Sequence, residues 1–192
     1  MYTLILIGVS MIVSLMIIPV VIAVSKKLDI VDKPNFRKIH TKPISMLGGS
    51  AILLSFLIGI WLGEPIEREI KPLLLGSVVI YLVGLIDDLY DLKPIIKLIG
   101  QILAATVVVS YGVTIDFISL PIGPTIHFGW LGIPITIFWI VAITNAINLI
   151  DGLDGLAAGV SVIALATIAF IAILQGNIFI IMICSVLIGS LL

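Results

Sequence analysis

Long stretches without a charged side chain alternate along the chain with short polar segments. A helix that crosses a hydrocarbon core of about 30 Å needs about 20 apolar residues. Most of the uncharged stretches reach or approach that length, so the pattern predicts an all-α protein whose helices span a membrane several times. The stretches are residues 1–25, 43–63, 72–86, 98–115 and 155–192.

The polar segments divide the chain into about seven expected helices. The last uncharged stretch is too long for a single span, and Gln175, Gly176 and Asn177 divide it in two. Residues 115–129 hold two short strand-like runs about a Pro/Gly turn, which predicts a β-hairpin on the outer surface with His127 solvated. The expected helices are 1–25, 44–63, 72–86, 94–111, 131–147 and the two that flank 175–177.

The composition excludes a soluble globular domain. The 192 residues are 61% hydrophobic and only 11% charged, whereas an average soluble domain is about 25% charged. The first helix is not expected to be a cleaved signal peptide, because no charge precedes it and Lys26 and Lys27 follow it. We therefore expect residues 1–192 to form one multi-pass integral membrane domain.

The basic residues predict the orientation of the helices. Most of the lysines and arginines fall in the loop after the first helix, and such loops face the cytoplasm. The N-terminus is then outside, and counting the helices onward brings both acidic segments of the chain to the cytoplasmic face of the plasma membrane. The cations of this loop are Lys26, Lys27, Lys33, Arg37, Lys38 and Lys42.

The first acidic segment contains Asp87, Asp88 and Asp91. An aspartate at mid-bilayer costs about 2.5–3.5 kcal/mol, so such groups persist where they face water, a cation or a substrate. Positions three and four apart share a face of a helix, and clustered carboxylates stay ionised only beside a cation. Carboxylates with room for water suit Mg²⁺, and Lys97 could meet a phosphate oxygen. The alternative is a solvated helix end at which Asp and Lys pair.

The second acidic segment has a polar residue at every third position. In an unbroken helix such a row drifts around the axis by about 60° per step, but Gly152 and Gly155 suggest that the helix opens here so that the polar groups converge on a ligand. Asn side chains both donate and accept, as recognition of a sugar or base requires. A helix-end capping array is the alternative. The four residues are Asn145, Asn148, Asp151 and Asp154.

The basic loop allows two interpretations. It could do no more than set the topology and contact anionic lipid. Alternatively, a Pro34–Asn35 turn and the paired Gly48–Gly49 would let the backbone approach a ligand closely. On that interpretation the candidate ligand-binding residues are Arg37, Lys38 and His40.

Three motifs together resemble one enzyme family. They are Asp-x-Pro-Asn-x-Arg-Lys-x-His at 32–40, Asp-Asp-x-x-Asp at 87–91, and Asn-x-x-Asn-x-x-Asp-Gly-x-Asp-Gly-Leu at 145–156. The last is the most specific, and their order agrees with that of the polyprenyl-phosphate N-acetylhexosamine-1-phosphate transferases. The chain looks most like the bacterial branch that uses UDP-N-acetylglucosamine.

The resemblance implies a reaction and roles for residues. A UDP-N-acetylhexosamine and undecaprenyl phosphate would give undecaprenyl-pyrophosphoryl-N-acetylhexosamine and UMP, as the first membrane step of cell-envelope polysaccharide synthesis. Asp87 and Asp88 would be catalytic and, with Asn148, lie near the Mg²⁺, for which Mn²⁺ is an alternative. Lys97 would bind phosphate. The nucleotide-sugar site would be shaped by Asn145, Asn148, Asp151 and Asp154.

The resemblance also implies partners and a boundary. The partners would be the polyprenyl lipid, the UDP-sugar and the membrane, with no nucleic acid and a homodimer left open. The family continues beyond the position of Leu192 with a Gly-Asp motif and a His-rich loop, so we expect an N-terminal portion that is inactive alone. Ser45-Met46 replaces the Pro-Arg of many members, and Asp91 replaces the Lys usual in the muramyl-pentapeptide branch.

Three other functions remain as alternatives. One is a muramyl-pentapeptide phosphotransferase of the same family. Another is an Mg²⁺-dependent membrane prenyltransferase, although the glycine-broken segment at 151–155 fits that class poorly. The third is a cation-coupled transporter with intramembrane carboxylates, for which the expected internal repeats are not seen in the sequence.

Overall fold

The computed structural model describes residues 2–32, 44–63, 70–120 and 123–192. Within these ranges the fold consists of seven α-helices, one short 3₁₀ helix at Gly129–Leu131 and two small two-stranded antiparallel sheets. The predicted all-α class is confirmed. The helices are α1 (Tyr2–Lys27), α2 (Gly48–Leu62), α3 (Ile70–Tyr90), α4 (Pro94–Ser110), α5 (Gly132–Ile150), α6 (Leu156–Gln175) and α7 (Ile178–Leu191).

Four of the helical segments are long and apolar enough to cross a membrane. The spans are Thr3–Lys27, Ile70–Tyr90, Gly129–Ile150 and Leu156–Gln175, and α2, α4 and α7 are shorter apolar helices. Their large apolar side chains are widely exposed, which suits contact with lipid because hydrocarbon does not penalise apolar surface. The protein is a polytopic membrane protein, as the hydrophobic pattern predicted.

The best-packed part of the fold is a three-helix junction of α1, α2 and α7. Small residues form it: a Cβ at Gly59 would stand 2.5 Å from both Ser10 Oγ and Val186 Cγ1. Ser55 Oγ donates to the Ser10 carbonyl at 2.6 Å. Close backbone approach through small residues is how helices associate where water cannot drive packing. The apolar cluster beside the junction is Leu6, Phe56, Ile60, Ile70, Met182 and Val186.

A second layer of helices carries the polar residues. Helix α3 packs on α2 and α4, and α4 packs on α5. A Cβ at Gly100 would stand 2.6 Å from Val83 Cγ2, so α4 approaches α3 closely at this point. In this layer the end of α3, the start of α4 and the end of α5 lie close together.

The hairpin expected at 115–129 is confirmed. Strands β3 (Phe117–Ser119) and β4 (Thr125–His127) are antiparallel, with Ile118 opposite Ile126. The side chain of His127 is exposed and its ring lies 5.7 Å from that of Phe117. Because the hairpin joins the end of α4 to α5, it lies at the opposite end of these helices from the acidic segments.

A second antiparallel strand pair was not predicted and corrects the start of α2. Strands β1 (Val31–Asp32) and β2 (Ile44–Ser45) pair in antiparallel register, so α2 begins at Gly48 rather than at residue 44. Pairing of 44–45 with β1 takes their backbone groups away from the helix. The predicted ligand-binding residues Arg37, Lys38 and His40 lie outside the described residues.

Helix α3 is longer than predicted. It runs over Ile70–Tyr90 instead of 72–86, so Asp87 and Asp88 belong to its last turn and do not follow it. The boundary was misplaced because charged residues were taken to end the apolar helix, whereas the backbone continues to hydrogen-bond through them. The 21 residues of α3 would span about 31 Å at 1.5 Å per residue.

Candidate functional site

The centre of the site is a contact among three helices. Lys97 Nζ of α4 donates to Asp87 Oδ2 of α3 at 2.7 Å and to Asn148 Oδ1 of α5 at 3.2 Å. The lysine and aspartate side chains are 22% and 20% exposed, so the ion pair is partly shielded from water. All three residues were predicted from the sequence as site residues, and the structure brings them together.

The turn between α3 and α4 explains how Lys97 reaches Asp87. Asp91 has a left-handed backbone with φ of +50°, and its N–H donates to the Asp87 carbonyl at 2.8 Å, as in a helix C-terminal cap. Pro94 then opens α4, where its fixed φ suits the first helical position. Lys97 is therefore one turn into α4, directed back across the turn at α3.

This geometry corrects the prediction for Asp91. The residue was expected to share a helix face with Asp87 and Asp88, but its φ of +50° takes it out of the helix. Asp is among the few residues other than Gly that adopt this conformation readily. The side chain of Asp91 is exposed, and the chain leaves α3 at this residue.

Asp88 lies beside Asp87 with an exposed side chain. The charges that act on it are those of Asp87, Lys97 and Asp151, which places the start of the second acidic segment in the same electrostatic neighbourhood. Three carboxylates against one ammonium leave this part of the site with excess negative charge. Such a site attracts a cation.

The second acidic segment opens the helix as predicted. Helix α5 ends at Ile150, and α6 begins after Gly155, whose φ of +75° is left-handed. A turn made by the Gly152 N–H and the Ile150 carbonyl, at 2.8 Å, lies between them. Asp151 and Asp154 are both exposed on this connection, where they are accessible to a ligand; Asp154 is not drawn into contact with the Lys97 centre.

Asn145 was predicted to help shape the nucleotide-sugar site. Its side chain is exposed, and its amide also pairs with Gln101 of α4. Asn145 Nδ2 donates to Gln101 Oε1 at 2.6 Å, and Gln101 Nε2 donates to Asn145 Oδ1 at 3.3 Å. Sequence reasoning missed Gln101. Its position four residues after Lys97 on an apolar helix was the available signal, because those two residues share a helix face.

The residues present fit one mode of binding Mg²⁺. Among the described residues, no group of three or more His, Cys, Asp or Glu side chains is arranged to hold a metal ion. Asp87 and Asp88 nevertheless offer adjacent carboxylates, and Mg²⁺ is commonly held by one or two carboxylates together with substrate phosphates and water. Lys97 contacts Asp87 Oδ2 and Asn148 Oδ1, which belong to two of the three predicted ligands.

Comparison with known proteins identifies the family. The family model described as glycosyl transferase family 4 matches residues 71–192, a range that begins one residue into α3 and contains α4 to α7 and the whole site described above. The chain belongs to this family. The transferase class inferred from the three motifs is thereby confirmed.

Curated relatives indicate which kinds of transferase in the family the chain is similar to. The chain is 41% identical over 186 residues to a probable undecaprenyl-phosphate N-acetylglucosaminyl 1-phosphate transferase of Bacillus subtilis, covering 96% of this chain and 52% of the relative. It is 37% identical over 150 residues to an undecaprenyl-phosphate alpha-N-acetylglucosaminyl 1-phosphate transferase of Thermotoga maritima, covering 78% and 46%. A phospho-N-acetylmuramoyl-pentapeptide-transferase of Enterococcus hirae is 31% identical over 179 residues, covering 83% and 54%. The chain thus spans about half the length of these relatives.

Proposed function

We propose that this chain forms part of a membrane enzyme that transfers N-acetylglucosamine 1-phosphate from UDP-N-acetylglucosamine to undecaprenyl phosphate and releases UMP. The observation that carries the proposal is the convergence of Lys97 with Asp87 and Asn148 in a family whose relatives are named for this transfer. The reaction would be the first membrane step of cell-envelope polysaccharide synthesis.

The chemistry needs little more than positioning and charge neutralisation. An oxygen of the lipid phosphate attacks the sugar-linked phosphorus of the donor, the bond from that phosphorus to the UMP oxygen breaks, and UMP leaves. Phosphoryl transfer of this kind depends on aligning the reactants and on stabilising charge on the phosphate oxygens. Lys97 supplies a positive charge for those oxygens, and its contact with Asp87 fixes where the ammonium lies.

The carboxylates have a second task. Asp87 and Asp88 would hold Mg²⁺, which would supply positive charge to neutralise phosphate oxygens. Asp88 is the more exposed of the two, so it is the better placed to face the lipid phosphate. Asp151 and Asp154 line the opened segment between α5 and α6, where they would contact the nucleotide sugar.

The position of the site suits a reaction between a lipid and a soluble nucleotide. The site lies at the ends of α3 and α5, next to helices whose apolar surface is exposed. We propose that this end faces the cytoplasm across the plasma membrane, because Lys26 and Lys27 end α1 and basic segments stay inside. The lipid phosphate would then enter sideways from the inner leaflet.

One other donor is favoured by a specific observation. The Enterococcus hirae relative is named for transfer of a phospho-N-acetylmuramoyl-pentapeptide, so that donor is the second candidate. Membership of glycosyl transferase family 4 disfavours the prenyltransferase and transporter hypotheses, which predict different families.

The test is UMP release by the complete polypeptide that contains this chain, purified in detergent with undecaprenyl phosphate and Mg²⁺. We expect release with UDP-N-acetylglucosamine, its loss on chelation with EDTA and its return on adding excess Mg²⁺. Release with UDP-N-acetylmuramoyl-pentapeptide but not with UDP-N-acetylglucosamine would support the same phosphoryl transfer and show that the proposed donor is wrong. Failure with both donors would refute the proposed function.

A further inference from the structure

The most completely buried polar side chain in the second layer is that of Gln101. Only 2% of it is exposed, yet it lies on α4 among apolar residues. Its carboxamide makes two reciprocal hydrogen bonds with Asn145 of α5. A buried amide is stable only when its donors and acceptors are paired, so the Asn145 pair explains how Gln101 is tolerated here.

The amide pair is the neighbour of the Lys97 contact. Gln101 follows Lys97 by one helical turn on α4, and Asn145 precedes Asn148 by about one turn on α5. The Lys97–Asn148 and Gln101–Asn145 hydrogen bonds are therefore successive contacts between the same two helices. The first involves a partly exposed lysine, whereas the second joins the buried side chain of Gln101 to the exposed side chain of Asn145.

The other side of α4 is also held in place. Gly100, next to Gln101, approaches Val83 of α3 so closely that an added Cβ would stand 2.6 Å from Val83 Cγ2. The turn of α4 that follows Lys97 is thus packed against α3 through a glycine and joined to α5 through a glutamine. Its position along both neighbours is fixed by these contacts.

We propose that Gln101 is a positioning residue: its pair with Asn145 sets the register of α4 and α5 so that the Lys97 ammonium meets Asn148 and Asp87. In this role Asn145 acts as the partner of Gln101, which is an alternative to its predicted contact with the nucleotide sugar. The expected effect on kcat rests on the proposed function, whereas the expected effect on helix register does not.

The kinetic experiment compares Gln101→Leu, Asn145→Leu and the exchanged pair Gln101→Asn/Asn145→Gln in the complete polypeptide. A shift of about 1 Å in a group at the reaction centre costs about 100-fold in rate, so we expect each Leu variant to lose about 10- to 100-fold in kcat with KM for the UDP-sugar nearly unchanged. The exchanged pair keeps both carboxamides and the same total side-chain length, and we expect it to exceed both Leu variants in kcat.

Two outcomes would overturn the inference. If Asn145 binds the donor directly, Asn145→Leu would raise KM for the UDP-sugar while Gln101→Leu would not. If the exchanged pair were no more active than either Leu variant, pairing between positions 101 and 145 would not be what matters. Thr106→Val is the matched control on α4, because Thr106 Oγ1 donates only within its own helix, to the Ile102 carbonyl.

A double-variant comparison tests whether Gln101 acts through Lys97. In a Lys97→Gln background, adding Gln101→Leu should lower kcat by less than about twofold, since a residue that acts only through another adds little once that other residue is lost. Full additivity of the two losses would show that Gln101 acts elsewhere and would contradict the inference.

A cross-linking measurement is independent of activity. In the complete polypeptide, with Cys184 and any cysteine outside residues 1–192 replaced by Ala, Lys97→Cys/Asn148→Cys should be joined by a short bifunctional maleimide. We expect Gln101→Leu to lower the yield severalfold and the exchanged pair to restore it. An unchanged yield in Gln101→Leu would refute the register role, whether or not the polypeptide releases UMP.

Discussion

The ammonium of Lys97 lies 2.7 Å from the carboxylate of Asp87, across the turn that joins α3 to α4. Because both side chains are only about one-fifth exposed, each charge depends on the other for part of its stabilisation. A phosphate that entered here would meet a lysine already held in position, with Asn148 on its other side. The relationship makes this turn the centre of the proposed site.

Asp88 is expected to be essential for turnover without being needed for folding. Its side chain is exposed, so Asp88→Asn leaves packing unchanged while removing a charge beside Asp87. We expect a loss of at least about 100-fold in kcat, the magnitude typical when a group that stabilises or positions the transferring atoms is removed. UMP release and the thermal unfolding midpoint should be measured together.

Asp91→Asn is the matched control for Asp88→Asn. Asn adopts the left-handed backbone that Asp91 has, so the end of α3 is retained while a nearby charge is removed. We expect this variant to keep kcat within about threefold of wild type. Full activity in Asp88→Asn would contradict a catalytic role for that residue.

Gly155 is expected to be required for the opening between α5 and α6. Its φ of +75° is left-handed, which costs an alanine about 1–2 kcal/mol. Gly155→Ala should therefore destabilise the protein and displace Asp151 and Asp154, which raises KM for the UDP-sugar. Gly155→Asn should be milder, because Asn tolerates this backbone. Equal KM values for wild type and Gly155→Ala would argue against a donor site on this segment.

Gly152→Ala is the control for that prediction. Gly152 lies on the same connection, has no positive φ and has open space around an added Cβ. We expect its unfolding midpoint and KM to stay close to those of wild type. A fall in unfolding midpoint and a rise in KM as large as those of Gly155→Ala would mean that any added side chain on this connection is harmful, whatever its backbone conformation.

The small-residue junction of α1, α2 and α7 is expected to be sensitive to a single methyl group. A Cβ at Gly59 would stand 2.5 Å from Ser10 Oγ and Val186 Cγ1, and overpacking of this kind costs about 1–3 kcal/mol. Gly59→Ala should lower the midpoint of thermal unfolding in detergent. The midpoint is measured by size-exclusion chromatography of samples heated to a series of temperatures.

Gly159→Ala gives the matched comparison on α6. An added Cβ there meets nothing within 4 Å, and Ala is favoured over Gly in a helix by about 1 kcal/mol. The midpoint should therefore stay equal or rise. A fall of the same size in both variants would show that the Gly59 effect is not one of packing at the junction.

The sequence predicted the helices and the residues that meet at the site better than it predicted their contacts. Apolar runs and the 175–177 break determined the order of the helices, and Asp87, Lys97 and Asn148 were each identified because charged and polar groups are costly in a membrane. These are local properties, and a single segment of sequence contains them.

The pairing of Gln101 with Asn145 could not be predicted in the same way. It joins positions 44 residues apart on two helices, and which polar groups meet depends on how α4 packs between α3 and α5. The left-handed Asp91 and the β1–β2 pairing were missed for a related reason. Both depend on how the chain turns, which hydrophobic periodicity does not determine.

The most direct test of the central claim compares Lys97→Gln with Lys93→Gln in UMP release by the complete polypeptide. Lys93 is the matched lysine, four residues earlier and exposed at the start of α4. If Lys97 is the phosphate-binding residue of the site, Lys97→Gln should lose about 100- to 1,000-fold in kcat while Lys93→Gln stays within about threefold. Equal activity of the two variants would contradict the claim that the Lys97 contact is the centre of the active site.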